Sequence, residues 1–121
     1  MMLTLSEEAN NAILDALADM LDGGRIELLA DNGRPLAILQ LSDPATMPAA
    51  NAELEFGEIA EEDAALAAGI VTAARIVGPG GAEVLNCDVG DETSDAAIKL
   101  NTTRIFRGGP VRLTSFRLAM P

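Results

Sequence analysis

The residue types that most often perform chemistry are scarce in this 121-residue chain. There is no histidine, so the usual general base, the commonest zinc ligand and a Ser-His catalytic pair are missing. Cys87 is the only cysteine, which excludes an internal disulfide and a zinc site built from several cysteines. Lys99, the only lysine, follows Ser94 by five residues and not by the three of a Ser-x-x-Lys pair. We therefore expect no catalytic residues, no cofactor and no metal site.

Two further patterns could in principle hold an ion. The segment Asp88 to Asp95 carries four acidic residues, but it lacks the ligand order of an EF-hand. A solvated acidic loop is the interpretation we favour over a calcium site. The run Gly78-Pro79-Gly80-Gly81 lacks the Lys-Ser/Thr of a phosphate-binding loop, so it predicts a turn.

Charge divides the chain, whose net charge is −11, into two unequal parts. Residues 1–95 hold nineteen acids against three arginines, a balance of −16, whereas residues 96–121 hold five basic residues and no acid. Four arginines of the second part form a candidate contact for another protein or subunit, here called the basic strip: Arg104, Arg107, Arg112 and Arg117. Its alternative roles are solubility and protection of a sheet edge. The overall acidity opposes binding to nucleic acid or to an anionic membrane.

The core must be aliphatic, because the chain has no Trp or Tyr and only three Phe residues. Its length suits one domain. The first residues carry acids where a signal peptide needs positive charge, and no apolar run is long enough to span a bilayer. We expect a soluble protein that is not secreted.

An amphipathic helix is predicted from Leu5 to Asp22. Thr4 and Glu7 have the spacing of a capping box, and Gly23-Gly24 supplies a left-handed stop. The apolar residues at helical spacing are Ala9, Ile13, Ala16, Leu17, Met20 and Leu21. We expect this face to dock on the rest of the protein.

The remainder of the chain predicts β-strands. Asn32-Gly33 indicates a hairpin between Arg25–Ala30 and Pro35–Ser42. The second of these strands is apolar on both parities, which predicts a central strand covered on both faces, by the sandwich core on one side and the N-terminal helix on the other. Further strands are predicted at Ala52–Glu58, Ile70–Val77, Glu83–Val89 and Ala96–Phe106. Residues 43–50 form a loop, and the pattern leaves open whether residues 60–68 form helical turns or a loop.

The chain closes with a predicted hairpin that turns at Gly108-Gly109-Pro110. In its second strand the apolar positions change parity, from Val111 and Leu113 to Phe116, Leu118 and Met120. Because strand side chains alternate with period two, we predict a β-bulge at Thr114-Ser115 that keeps all five on the inner face.

One helix followed by about seven strands predicts a mainly β fold in a single domain. We expect an antiparallel β-sandwich over residues 25–121, jelly-roll-like or immunoglobulin-like, packed against an N-terminal helix over residues 1–24.

The order of several short motifs resembles a family of small, mostly uncharacterised structural proteins of tailed bacteriophages and prophages. The motifs are Asn11-Ala12, Leu21-Asp22-Gly23-Gly24, Leu41-Ser42-Asp43-Pro44, Ala74-Arg75-Ile76, Val89-Gly90, Leu100-Asn101-Thr102-Thr103, Ile105, Gly108-Gly109, Thr114-Ser115, Leu118 and Met120-Pro121.

The resemblance implies a virion component without catalytic residues, present in many copies and assembled in the host cytoplasm. Its implied partners are major capsid or tail proteins and other copies of itself. We expect a capsid decoration or cement protein, with a tail, neck or baseplate component as the alternative. A small ligand-binding adaptor module is the competing hypothesis from another class.

Overall fold

A computed structural model describes residues 4–57, 59 and 65–119. The described elements are α1 (Glu7–Leu21), β1 (Arg25–Leu29), β2 (Pro35–Gln40), β3 (Glu53–Glu55), β4 (Gly69–Ile70), β5 (Ala73–Val77), β6 (Glu83–Asp91), β7 (Ile98–Leu100), β8 (Arg104–Ile105) and β9 (Leu113–Ala119). Seven strands form one sheet in the order β2-β1-β5-β6-β7-β9-β3, and β4 pairs with β8 in a second, small sheet. The predicted class, mainly β with an N-terminal helix, is confirmed.

Both hairpins predicted in the first part of the sheet are present. β1 pairs antiparallel with β2 around Asn32-Gly33, where Gly33 has φ +82°, and β5 pairs with β6 around residues 78–82. One face of these strands, which includes Ile26, Leu28 and Leu39, lies in the main hydrophobic core. The Asn-Gly pair forms this tight turn because glycine adopts positive φ without strain.

The position predicted for β2 is wrong. β2 lies at the edge of the sheet, because β5 occupies the far side of β1, and α1 packs against β3 and not over β2. The open edge of β2 is covered by irregular chain, since Leu66 N donates to Leu36 O at 2.8 Å. An apolar edge strand is thereby shielded without a further strand.

The helix is shorter than predicted and uses a different cap. It begins at Glu7, and its N-cap is Ser6, whose Oγ accepts a hydrogen bond from Ala9 N at 3.1 Å. Thr4 therefore is not the cap, although a hydroxyl residue does fill the role. The left-handed stop is confirmed at Gly23, with φ +74°.

The buried face of α1 is only partly the one predicted. Leu14, Ala18 and Leu21 are buried, whereas Ile13 and Met20 are about half exposed and Ala16 is exposed. The helix lies across the β3 end of the sheet, where Leu54 and Leu118 cover the arc centred on Leu14 and Ala18. The adjoining apolar side of the helix, formed by Ile13, Ala16 and Met20, is not covered by any element in the described part of the chain.

One strand pair differs from the predicted antiparallel arrangement. β6 and β7 are parallel, with Val89 opposite Ile98. The connection between them folds back along β6, because Asp91 Oδ1 accepts from Thr93 N at 3.0 Å and Asp88 Oδ1 accepts from Ala97 N at 2.9 Å. A side chain at Gly90 would collide with Ser94, so this close return requires glycine.

The closing hairpin is only partly as predicted. The strand expected at Ala96–Phe106 is divided into β7, which pairs with β9, and β8, which pairs with β4. The turn at Gly108-Gly109 instead docks on the chain beside Ala65, through hydrogen bonds of 2.9 and 3.0 Å. The intervening residues therefore leave the main sheet and build the small one.

The predicted β-bulge is confirmed. Lys99 lies opposite Ser115 and Leu100 opposite Leu113, so Thr114 is the extra residue, and its Oγ1 donates to Lys99 O at 3.1 Å. Beyond it Phe116 is buried and its ring stacks on Phe56, with centroids 3.7 Å apart. Met120, also predicted to face inward, lies outside the described residues.

The segment that the sequence left undecided is described only from residue 65. Its acidic part, residues 60–64, lies outside the described residues, as does Glu58 at the end of the strand predicted from Ala52. Ala65 and Ala67 are buried in irregular chain beside β2.

Candidate interaction surfaces

The four arginines of the basic strip lie in two separate places. Arg104 is on β8, opposite Ile70 of β4, and Arg107 is in the turn that follows. Arg112 immediately precedes β9 and Arg117 lies on it. Because β8 pairs with β4 and not with β9, the two groups do not share the face of one hairpin.

Arg117 is engaged within the subunit. Its guanidinium lies 3.8 Å from Glu53 and 3.6 Å from Glu55, across the β3–β9 pair. These exposed pairs contribute less than about 1 kcal/mol each. Arg112 and Arg117 both line a groove of about 620 Å³ along the bulge of β9.

Arg104 and Arg107 lie beside an exposed apolar group, and we call the whole set the basic patch. It consists of Leu66, Ile70, Phe106, Arg104 and Arg107. In the β4–β8 pair Gly69 and Ile105 face the core, where Gly69 contacts Leu36. Alternation along the strands therefore turns Ile70 and Phe106 outward, and their side chains are 53% and 65% exposed.

The composition of the basic patch is that of a contact surface. The other two phenylalanines are buried and stacked on each other, so Phe106 is exposed although the core accepts aromatic rings. Arginine and aromatic residues are enriched where protein interfaces derive most of their binding energy. Exposed clusters of large apolar residues mark interaction sites on otherwise polar surfaces.

A second exposed apolar side chain, that of Met47, lies beside two aspartates of α1, and we call this set the acidic patch. It consists of Met47, Asp15 and Asp19. Met47 and the two aspartates line a groove of about 350 Å³ between the helix and residues 44–48. Ile13 and Met20 are seven residues apart, so they lie together on the opposite flank of α1 from this groove and do not belong to the acidic patch.

The sequence did not indicate the most buried ion pair among the described residues. Glu27, only 9% exposed, accepts from Arg75 Nε at 2.6 Å and from Arg25 Nε at 3.3 Å. Glu27 and Arg75 are cross-strand partners in the β1–β5 pair. The spacing of Arg25 and Glu27 within β1 was the only local indication of this ion pair. Arg75 is forty-eight residues from Glu27 in the sequence, and the two meet only because β1 pairs with β5.

Two of the acids considered for ion chemistry, Asp88 and Asp91, accept structural hydrogen bonds. Asp91 organises the 91–94 turn, and its hydrogen bonds to the hydroxyl and N–H of Thr93 lower its pKa. Within residues 4–57, 59 and 65–119, no three acidic or thiol side chains are grouped closely enough to bind a metal ion. Cys87 is half-buried, and this burial together with Asp88 raises its pKa to about 12.

Comparison with known proteins adds no relatives to this description. No family model matches the chain, and neither a curated protein nor a solved structure is similar to it. In the part of the chain that the structure describes, no helix is long and apolar enough to cross a membrane.

Proposed function

We propose that this protein is a non-enzymatic structural component of a bacteriophage virion, and specifically a capsid decoration or cement protein. One observation carries the proposal. Six large apolar side chains are exposed in the described residues: three in the basic patch, Met47 in the acidic patch, and Ile13 and Met20 on the opposite flank of α1. A chain that keeps this many large apolar side chains accessible is suited to assembly with other subunits.

The sequence resemblance to phage structural proteins supports the virion as the place of assembly. The net charge of −11 supports a position on the outer surface of the shell. An acidic protein is repelled by packaged DNA but is tolerated outside it.

The proposal is tested by separating capsids and tails from the phage or induced prophage that encodes this chain. Quantitative mass spectrometry of each fraction should find the protein with capsids, at a copy number related to that of the major capsid protein. Recovery with tails alone would replace decoration by the tail, neck or baseplate alternative. Absence from both fractions would overturn the virion proposal and favour an adaptor module.

A matched pair of variants tests the surface. Phe106→Ser should reduce the number of copies per capsid, since it removes the most exposed apolar side chain of the basic patch. Phe106→Leu should retain most of the binding. Both variants should unfold in urea like the parent, because the Phe106 side chain is outside the core.

A further inference from the structure

We infer that the basic patch binds an amphipathic helix of a partner protein, one that carries an apolar stripe with a row of acidic residues beside it. It rests on the proposed function for the identity of that protein, a neighbouring virion subunit, and deepens it by naming the chemistry of the contact. Binding to a helix of this chemistry is a property of the purified chain.

The apolar side chains of the basic patch form one row. Exposure alternates along residues 65–71, and the side chains turned outward are those of Leu66, Ala68 and Ile70. The β4–β8 register, continued by one step, places Phe106 opposite Ala68, whose small side chain leaves room for the ring. Leu66 and Ile70 are four residues apart, so the row is at most about 13 Å long. About two turns of a helix cover that length.

A groove of about 500 Å³ runs along one side of the row, between β4 and the β1–β2 turn. Its described lining includes the apolar side chains of Leu36, Ala68 and Ile70. Asp31 and Arg34 also line it, and their opposite charges balance. The groove can therefore accept large apolar side chains of a partner without a preference for either charge.

The β8 side of the row is positively charged. Arg104 is the cross-strand partner of Ile70, and Arg107 lies in the turn that follows β8; both are exposed. Guanidinium groups pair best with carboxylates, so a partner that covers the row should have acidic residues on this side only. An amphipathic helix offers this arrangement, because residues three, four and seven apart form a stripe and the next positions form a parallel row.

The net charge of −11 favours a helix over an extended anionic surface as the occupant. A membrane or a nucleic acid brings negative charge close to the whole subunit, most of which repels it. Two turns of a helix approach only the patch and the groove, and at about 0.1 M salt charges more than about 10 Å away are screened. A symmetric pair of copies is disfavoured, because two facing basic patches would bring four arginines together.

A synthetic helical peptide of about eighteen residues provides the probe. It has leucines in one stripe, glutamates along one side of the stripe and alanines elsewhere, and we call it the stripe peptide. Fluorescence anisotropy should show that the labelled stripe peptide binds the purified protein. A peptide of the same composition in scrambled order should bind about tenfold more weakly or less. No binding of the stripe peptide, or equal binding of both peptides, would overturn the inference.

Variants locate the binding of the stripe peptide. Phe106→Ser and Ile70→Ser should each weaken it about tenfold or more, whereas Phe106→Leu should stay within about threefold of the parent. All three should unfold in urea like the parent, because both side chains are more than half exposed. Binding that neither serine variant weakens would place the peptide elsewhere and overturn the inference.

A matched pair of double variants tests the charge. Arg104→Gln with Arg107→Gln should weaken binding of the stripe peptide about fivefold or more. Arg112→Gln with Arg117→Gln removes the same charge outside the patch and should change the affinity less than about twofold. Equal weakening by the two double variants would show that net charge, and not the patch, attracts the acidic helix.

Two other occupants are tested with the same protein. Vesicles of equimolar phosphatidylcholine and phosphatidylglycerol should not bind it in a flotation assay, and sedimentation velocity should find no self-association that Phe106→Ser abolishes. Vesicle binding lost in Phe106→Ser would make a membrane the occupant. Self-association lost in that variant would make a second copy the occupant, and either result would overturn the helix partner.

Competition on capsids separates this inference from the proposed function. The stripe peptide should displace the protein from purified capsids, and the scrambled peptide should not. Capsid binding that the stripe peptide cannot displace would leave the decoration role standing and overturn the helix contact. Peptide binding by a protein that is absent from capsids and tails would leave the helix site standing without the virion role.

Discussion

The Cys87 thiol is protected by its surroundings on β6. Burial, and secondarily the carboxylate of Asp88, raises its pKa from 9.0 to about 12. The thiolate is the reactive form, so at pH 8 iodoacetamide should alkylate the folded protein roughly a hundredfold or more slowly than the urea-unfolded chain. Asp88→Asn should accelerate the reaction only slightly, because burial is the larger cause. Equal rates for folded and unfolded protein would contradict this.

The same shift predicts a loss of stability in alkali. The unfolded chain releases the Cys87 proton near pH 9 while the folded protein holds it to about pH 12. The unfolded state therefore binds fewer protons between these values, and the free energy of unfolding should fall as pH rises through that range. Cys87→Ala should show a shallower decline in urea titrations at pH 8 to 11; an identical slope would assign the loss to other groups.

Replacing Glu27 should lower the free energy of unfolding more than replacing any exposed acidic residue. Glu27→Gln leaves Arg25 and Arg75 without their carboxylate in a nearly buried position, and we expect a loss of about 1–3 kcal/mol in the free energy of unfolding. Glu53→Gln, which loses the exposed Arg117 pair, should cost less than about 0.5 kcal/mol. Urea unfolding of both variants at pH 7 makes the comparison, and similar losses would refute it.

The bulge of β9 is an element whose removal should be tolerated. Deleting Thr114 lets Leu113 and Ser115 follow each other opposite Leu100 and Lys99, with Phe116 still facing inward. We expect a change of less than about 1 kcal/mol, mainly from the lost hydrogen bond to Lys99 O. Deleting Arg117 instead turns Leu118 to the outer face of the sheet where β9 pairs with β3. This should lower the free energy of unfolding by well over about 2 kcal/mol. The urea midpoints of the two deletion variants test this prediction. Equal losses in both would mean that the bulge does not set which side chains of β9 face inward.

The elements differ in how far the sequence could predict them. The Asn32-Gly33 turn, the Gly23 stop and the bulge depend on local backbone preference or on parity within one strand, so they were predictable. The pairing of β8 with β4 was not, because two residues join two others some thirty-five positions earlier. The exposed side of α1 was also missed, since helical spacing gives the width of an apolar face and not how much of it a neighbour covers.

For the molecule as a whole, the sequence pattern predicted the fold class but not the order and direction of the strands in the sheet. Alternating strands and turns indicated a mainly β protein with a helix. The parallel β6–β7 pair depends on side chains that fold the 92–97 segment back, and no strand pattern encodes that. Of the basic strip, Arg104 and Arg107 join an apolar group, whereas Arg117 pairs with Glu53 and Glu55. Charge counts located the arginines but could not assign their neighbours.

The response to salt tests how much the net charge costs the folded protein. At about 0.01 M salt the Debye length is about 30 Å, so like charges of a chain with a net charge of −11 repel one another across the whole molecule. Near 0.1 M the range falls to about 10 Å, which screens the distant charges. At about 1 M, with a range of about 3 Å, the exposed ion pairs of Arg117 with Glu53 and Glu55 weaken as well.

The urea midpoint of the dilute protein should therefore rise between about 0.01 M and about 0.1 M salt, as repulsion within the acidic chain is screened. Arg112→Glu makes the net charge still more negative and should show a larger rise over the same range, because it adds to the repulsion that salt removes. A midpoint that stays constant over this range in both proteins would mean that the net charge does not limit stability.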